Sequence, residues 1–167
     1  MIALLPIGAA LAALLVYLAY TRWRDWSIHK RPLPSSWLEV LQTSLPVYAA
    51  LSPEQQFRLC DMIKFFIDRK KFYGCGGLTI TDEMRVIIAA EACLLVLNRK
   101  GALYPKLSSI LVYPGAFSVA RQEHQADGTV ASGRHSLLGE SWNNGRVILS
   151  WDDVTRGVAD FSDGRNV

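Results

Sequence analysis

Residues 81–97, TDEMRVIIAAEACLLVL, decide the fold of this chain. Thr81 can cap the start of a helix, and the two acidic residues after it suit the positive end of the helix dipole. The rest of the stretch is apolar on almost every face and is interrupted only by Arg85 and Glu91. Because it is too short to span a bilayer, it predicts the central buried helix of a globular domain.

A second helix is predicted upstream of this stretch. Ser52 is suited to cap it, Pro53 fits its first position, and Gln55 closes a capping box with the serine. Apolar residues then recur at helical spacing, namely Phe57, Cys60, Ile63 and Ile67. This spacing predicts a helix that packs against the core and ends at the glycine-rich residues 74–77.

Downstream, the pattern changes from helical to extended after Pro105. Short strands are predicted at residues 110–113, 117–120 and 146–151, with a hairpin turn at Asp127-Gly128 and a turn at Asn143-Asn144-Gly145 before the last strand. A further helical turn should open at Asp152. Helices therefore come first and a small mixed sheet second, which predicts an α+β fold with one core for the 167 residues.

The N-terminal residues 2–20 contain no charged side chain and could form a signal peptide, a buried core helix or a transmembrane anchor. A signal peptide carries positive charge before its apolar stretch, and a core helix shows a polar stripe, so the anchor is favoured. We expect a transmembrane anchor at residues 1–21, a basic juxtamembrane linker at 22–36 and the domain at 37–167. Aromatic residues and positive charges follow the anchor, which predicts that the N-terminus lies outside.

Charge and cysteine content exclude some classes of protein. The formal net charge of +3 equals the surplus of Arg22, Arg24, Lys30 and Arg31 over Asp25, so the remainder of the chain is neutral. Phosphate binding needs a clustered basic surface, and a nucleic-acid partner is therefore not expected. Three widely spaced cysteines suit a reducing compartment better than a disulfide framework.

A complete catalytic set cannot be assembled from these residues. His124 and His135 could meet across a hairpin with Glu123 or Glu140, but solvent-exposed hairpin residues are the better interpretation. Cys75 has no histidine placed beside it by the sequence, and the loop around it is better explained by a need for small residues. Glu91 is interpreted as a carboxylate at the helix edge or paired internally, and not as a metal ligand.

Several stretches, in this order, resemble the Mlc titration factor A family of zinc-dependent peptidases. They are LSPEQ at 51–55, FYGCGGLTITDEMRVIIAAEACLL at 72–95, ILVYPGAF at 110–117, GESW at 139–142 and GRVILSWDDV at 145–154. The resemblance runs from about Trp37 to the last residue. It implies a zincin-like peptidase fold and a peptide or protein substrate. Together with the anchor predicted above, the expected location is the bacterial inner membrane, as a single-pass protein with its bulk in the cytoplasm.

The resemblance also implies where the chemistry lies. In that family a stretch such as GRNV, at 164–167, leads into a helix carrying His-Glu-x-x-His, whose histidines hold zinc. This sequence ends at Val167, so no catalytic or metal-binding residue is assigned to it. Zinc is expected in the complete family member and no cofactor in this chain, which should be inactive alone. The alternative is a membrane-anchored module that binds a transcriptional repressor without catalysis.

One substrate contact is predicted for this chain. Peptidases with such a helix lay an extended substrate beside an edge strand of the sheet. The candidate strand stands directly before the segment that leads to the helix, and its residues are Arg146, Val147, Ile148, Leu149 and Ser150. An interior strand of the sheet is an equally acceptable interpretation, and pairing of both its edges would reject the edge-strand hypothesis.

Overall fold

A computed structural model describes residues 4–99, 101–115, 117–124, 130–137, 139–142 and 145–159. The helices are α1 (Leu4–Lys30), α2 (Ser35–Ser44), α3 (Pro46–Ala50), α4 (Pro53–Arg69), α5 (Asp82–Leu95) and α6 (Trp151–Ala159). The strands are β1 (Lys71–Gly74), β2 (Ser109–Tyr113), β3 (Phe117–His124), β4 (Val130–Leu137), β5 (Gly139–Trp142) and β6 (Arg146–Ser150). The predicted combination of helices with a mixed sheet is therefore present.

The prediction of an N-terminal transmembrane helix is wrong. Within the ranges that the structure describes, no helix combines the length and the apolar character needed to cross a membrane. The apolar residues form only the first part of α1, which continues to Lys30 through Arg22, Arg24 and Asp25. The membrane contact predicted for residues 2–20 depended on that span.

The charged second part of α1 is attached to α4. Arg24 forms an ion pair with Asp68, and Asp25 forms one with Arg69, each at 2.5 Å. Each helix thus contributes one positive and one negative partner. Lys64 on α4 donates to the carbonyl oxygens of His29 and Arg31, at 3.0 and 2.9 Å, where α1 ends. Segment 22–30, predicted as part of a linker, is thus a helix that packs on the domain. The division of the chain into segments 1–21, 22–36 and 37–167 stays a prediction.

Local signals predicted the starts of α4 and α5 correctly. The capping box is present, because the Ser52 hydroxyl accepts from the amide of Gln55 and the Gln55 side chain accepts from the amide of Ser52. Thr81 caps α5 by accepting from the amide of Met84. Seven residues of α5 are buried, so it is the central buried helix that the sequence predicted.

The main sheet has four strands in the order β1-β2-β6-β5. β1, β2 and β6 run parallel, and β5 is antiparallel to β6. Chain order therefore requires crossovers between the parallel strands, and α5 lies in the connection from β1 to β2. A separate antiparallel pair, β3 and β4, confirms the predicted hairpin, although its predicted turn at Asp127-Gly128 lies outside the described residues.

Candidate functional site

Strand β6 lies inside the sheet, between β2 and β5. It pairs in parallel with β2, from Arg146 opposite Ser109 to Ser150 opposite Tyr113. On its other side it pairs with β5, where Leu149 is opposite Gly139. Since the main chain of β6 is engaged on both sides, the prediction that residues 146–150 form an edge strand is wrong, and the interior alternative is correct. Whether their side chains contact a substrate stays a prediction.

Among the strands that the structure describes, β5 is the outer strand next to β6. An outer strand directs alternate main-chain N–H and C=O groups away from the sheet, and an extended peptide can add to these groups. The predicted substrate contact requires a strand with one open edge. Within the described sheet, β5 meets this requirement and residues 146–150 do not. The stretch GESW that forms β5 had been part of the resemblance, and its Glu140 had been considered only as a possible metal ligand.

The end of β6 leads directly into α6, as predicted for Asp152. Ser150 is fully buried, and its hydroxyl accepts from the amide of Asp153 at 3.4 Å. The amide of Asp152 donates to the carbonyl oxygen of Pro114, which ties the ends of β2 and β6 together. Two valines of α6, Val154 and Val158, are buried in the core. The chain beyond β6 is thereby fixed to the carboxyl ends of two parallel strands.

Asp153 is a buried carboxylate at this junction that the sequence did not single out. It is 8% exposed, and its Oδ1 accepts from Arg156 at 2.5 Å. Its Oδ2 has no hydrogen-bond partner within the residues that the structure describes. The available signal was the pair of acidic residues directly after a strand, which was interpreted only as a helix start.

Glu91 lies at a pocket of about 630 Å³ between α5 and the sheet. The pocket is lined mostly by apolar side chains, including Phe66, Ile88, Leu95, Ile110 and Leu149. Glu91 is 6% exposed, and burial raises the pKa of its carboxyl to about 7. Its Oε1 accepts no hydrogen bond from the described part of the chain. Because Glu91 is buried, the interpretation that it lies at the helix edge is wrong.

Tyr104 lines this pocket, and Lys70 holds the loop that carries Tyr104. Lys70 is 8% exposed and donates to the carbonyl oxygens of Tyr104 and Leu107, at 2.7 and 2.6 Å. Burial lowers the pKa of its ammonium group. Tyr104 has a φ of 46°, which is rare for a residue with a side chain, and its hydroxyl donates to the carbonyl oxygen of Ala92. These bonds hold loop 104–107 against α5.

The histidines considered as metal ligands are separated in the strand register. In register, His124 is opposite Val130 and His135 is opposite Val119, so the two histidines occupy different positions of the hairpin. His29 lies elsewhere, with its Nδ1 2.7 Å from Asp61 Oδ2. Among the side chains that the structure describes, no group of three His, Cys, Asp or Glu residues could hold a metal ion.

Comparison with known proteins identifies a family and several relatives for this chain. Residues 20–167 match the family model described as glucose-regulated metallo-peptidase M90. An uncharacterized protein of Synechocystis sp., slr2042, is 40% identical over 173 residues, which cover 98% of this chain and 62% of the relative. Mlc titration factor A of Yersinia pestis is 29% identical over 120 residues, which cover 72% of this chain and 44% of that protein. The chain thus spans 62% and 44% of the lengths of these two relatives.

Proposed function

Because the chain belongs to the glucose-regulated metallo-peptidase M90 family, we propose that the complete protein hydrolyses peptide bonds with zinc as its metal. The match over residues 20–167 carries this proposal. The three histidines of the 167 residues, at positions 29, 124 and 135, include no pair at the spacing of His-Glu-x-x-His. No catalytic step is therefore assigned to this chain, and its part in the reaction is to supply the sheet that holds the substrate.

Strand β5 is the proposed substrate strand. It is antiparallel to the three parallel strands and lies next to β6, whose end leads through α6 toward the segment 164–167. A peptide added to β5 would be held by main-chain hydrogen bonds, which accept many sequences. Arg146, at the start of β6 opposite Trp142, is exposed and remains our candidate for a side-chain contact with the substrate.

The experiment that tests zinc-dependent hydrolysis compares two proteins. One is the 167-residue chain, and the other is this chain followed by the remaining C-terminal part of the Synechocystis relative. We expect stoichiometric zinc and peptide turnover only in the longer protein, because hydrolysis by a bound metal needs several ligands that converge on one point. Tightly bound zinc together with turnover by the shorter chain would refute the assignment, as would a longer protein that folds, binds zinc and cleaves no peptide.

A proline scan of β5 in the longer protein tests the substrate strand. Proline removes one main-chain N–H, and consecutive residues of a strand direct their N–H groups to opposite sides. Of the pair Glu140→Pro and Ser141→Pro, one should lose a bond to β6 and melt at a lower temperature. The other should keep its melting temperature and lose turnover. If both variants that fold keep wild-type turnover, the substrate does not add to β5.

A second candidate function is binding of a transcriptional repressor without catalysis. The name of the Yersinia relative, Mlc titration factor A, favours this function, since it refers to titration of Mlc. Purified Mlc mixed with the 167-residue chain should then elute as a complex in size-exclusion chromatography. Separate elution at micromolar concentrations, by a chain that melts cooperatively, would argue against it.

A further inference from the structure

The pocket beside Glu91 has the properties of a binding site for a small molecule, independently of peptidase activity. Its volume of about 630 Å³ is in the range of roughly 300–1,000 Å³ that is usual for ligand pockets. Its walls come from α4, α5, loop 104–107 and the strands β2 and β6. Most of the lining is apolar, so the body of a ligand would also be apolar.

The polar groups of the pocket define the head group of that ligand. The Tyr104 hydroxyl is engaged with the carbonyl oxygen of Ala92, and the carbonyl oxygens of Tyr104 and Leu107 accept from Lys70. Glu91 Oε1 is different, because it is buried, lines the pocket and has no partner among the described residues. An unpaired buried acceptor is unfavourable, and a ligand that brings a hydrogen-bond donor would satisfy it.

The charges at the mouth of the pocket set the orientation of the ligand. Lys106 and Arg146 line the pocket and are exposed. Two positive groups disfavour a cation that stays at the mouth, whereas the Glu91 carboxylate favours a cation that reaches the interior. The cationic end of a ligand should therefore lie inside, beside α5, with the apolar body filling the space toward Leu95 and the mouth.

We propose that the pocket between α5 and the sheet binds an apolar primary amine, whose ammonium group donates to Glu91 Oε1 and whose body packs on Phe66, Ile88 and Ile110. A hydrogen bond to a charged group contributes about 1.5–3 kcal/mol, so loss of the charge on Glu91 should weaken binding by about tenfold or more. The site shares Arg146 with the proposed substrate contact, and binding of the amine does not depend on zinc.

The test uses the 167-residue chain with two probes of similar shape, 2-phenylethylamine and the acceptor-only ether 2-methoxyethylbenzene. Binding is followed by calorimetry and by ligand-observed NMR. Wild type and Glu83→Gln, an exposed position on the same helix, should bind the amine equally. Glu91→Gln should bind it about tenfold or more weakly, and the ether should bind weakly to all three proteins.

A second variant keeps the carboxylate and reduces the space. Ala92→Leu adds three carbon atoms to a side chain that lines the pocket, so it should also weaken binding of the amine while Glu91 is retained. Equal affinity of amine and ether for wild type, or equal affinity of the amine for wild type and Glu91→Gln, would overturn the proposal. So would loss of amine binding in the longer protein with the Synechocystis C-terminal part, because the polypeptide itself would then occupy the pocket.

Discussion

Replacing Glu91 by glutamine should make the stability of the domain less sensitive to pH. The carboxyl is 6% exposed, and its Oε1 has no partner among the described residues. Burial of this carboxyl disfavours its charged form, and its pKa rises from an ordinary 4.5 to about 7. Glutamine has the same shape and no charge, so it removes the titration and retains most of the packing.

The sign and size of the effect follow from the raised pKa. Between pH 4.5 and 7 the folded protein keeps a proton on Glu91 that the unfolded chain has lost, so the free energy of unfolding falls as pH rises. Within this window each pH unit changes the free energy of unfolding by about 1.4 kcal/mol, and the whole window changes it by roughly 3 kcal/mol. Below pH 4.5 the carboxyl is protonated in both states, and above pH 7 it is ionised in both, so the effect is constant outside the window.

Urea unfolding of wild type and Glu91→Gln, followed by tryptophan fluorescence from pH 4 to pH 8, measures this difference. The titratable groups that line the pocket with Glu91 are Tyr104, Lys106 and Arg146, and they are the same in both proteins. The stability of the variant relative to wild type should rise by roughly 3 kcal/mol toward pH 8, while Glu83→Gln should show no such rise. A difference that stays constant within about 0.5 kcal/mol would refute the burial of an unpaired carboxylate at this position.

Three further predictions concern packing. Gly145→Ala should destabilise the domain by more than the roughly 1–2 kcal/mol that a left-handed φ costs, because a Cβ would lie 2.4 Å from the carbonyl oxygen of Lys106. Gly77 is also at positive φ, but an added Cβ would meet no atom within 4 Å. Gly77→Ala should therefore lower the stability only by the cost of the left-handed φ, and urea denaturation of both variants measures the additional cost of the clash at Gly145. Lys64→Met should speed amide hydrogen exchange over the last turn of α1, because its ammonium group bonds the carbonyl oxygens there. Removal of residues 1–21 should leave the urea midpoint unchanged within error and reduce self-association in light scattering, because the large apolar side chains described there are 47–69% exposed.

Helix starts could be predicted from the sequence because their causes are local. Ser52 and Thr81 each accept a bond from an amide three residues ahead, and a side chain three positions away needs no tertiary contact to form that bond. The buried face of α5 was equally readable, since Val86, Ala89 and Cys93 recur at helical spacing and all three are fully buried. The family resemblance depended on the same stretch.

Strand β1 and the true end of the preceding helix were not predicted. The helix was expected to run to the glycines at 74–77, but α4 ends at Arg69 and the chain becomes a strand at Lys71. Four residues give too short a pattern to show a period, and β1 is held by pairing with β2, whose residues lie almost forty positions later. The environment of Glu91 was also missed, because its pocket is formed by loop 104–107 and the sheet, which lie far from Glu91 in the sequence.

The position of residues 146–150 in the sheet also could not be predicted, because it depends on pairing between distant segments. Residues 146–150 read as a short strand beside the segment of interest, and the sequence cannot distinguish an outer strand from an inner one, because both are short apolar runs. In the structure β6 pairs with β2 on one side and with β5 on the other. The four residues of β5 include a glycine and a glutamate and gave no clear strand pattern of their own. An outer strand is paired on one side only, so a weak strand former can serve there, and the proposed addition of a peptide to β5 would use the same open side.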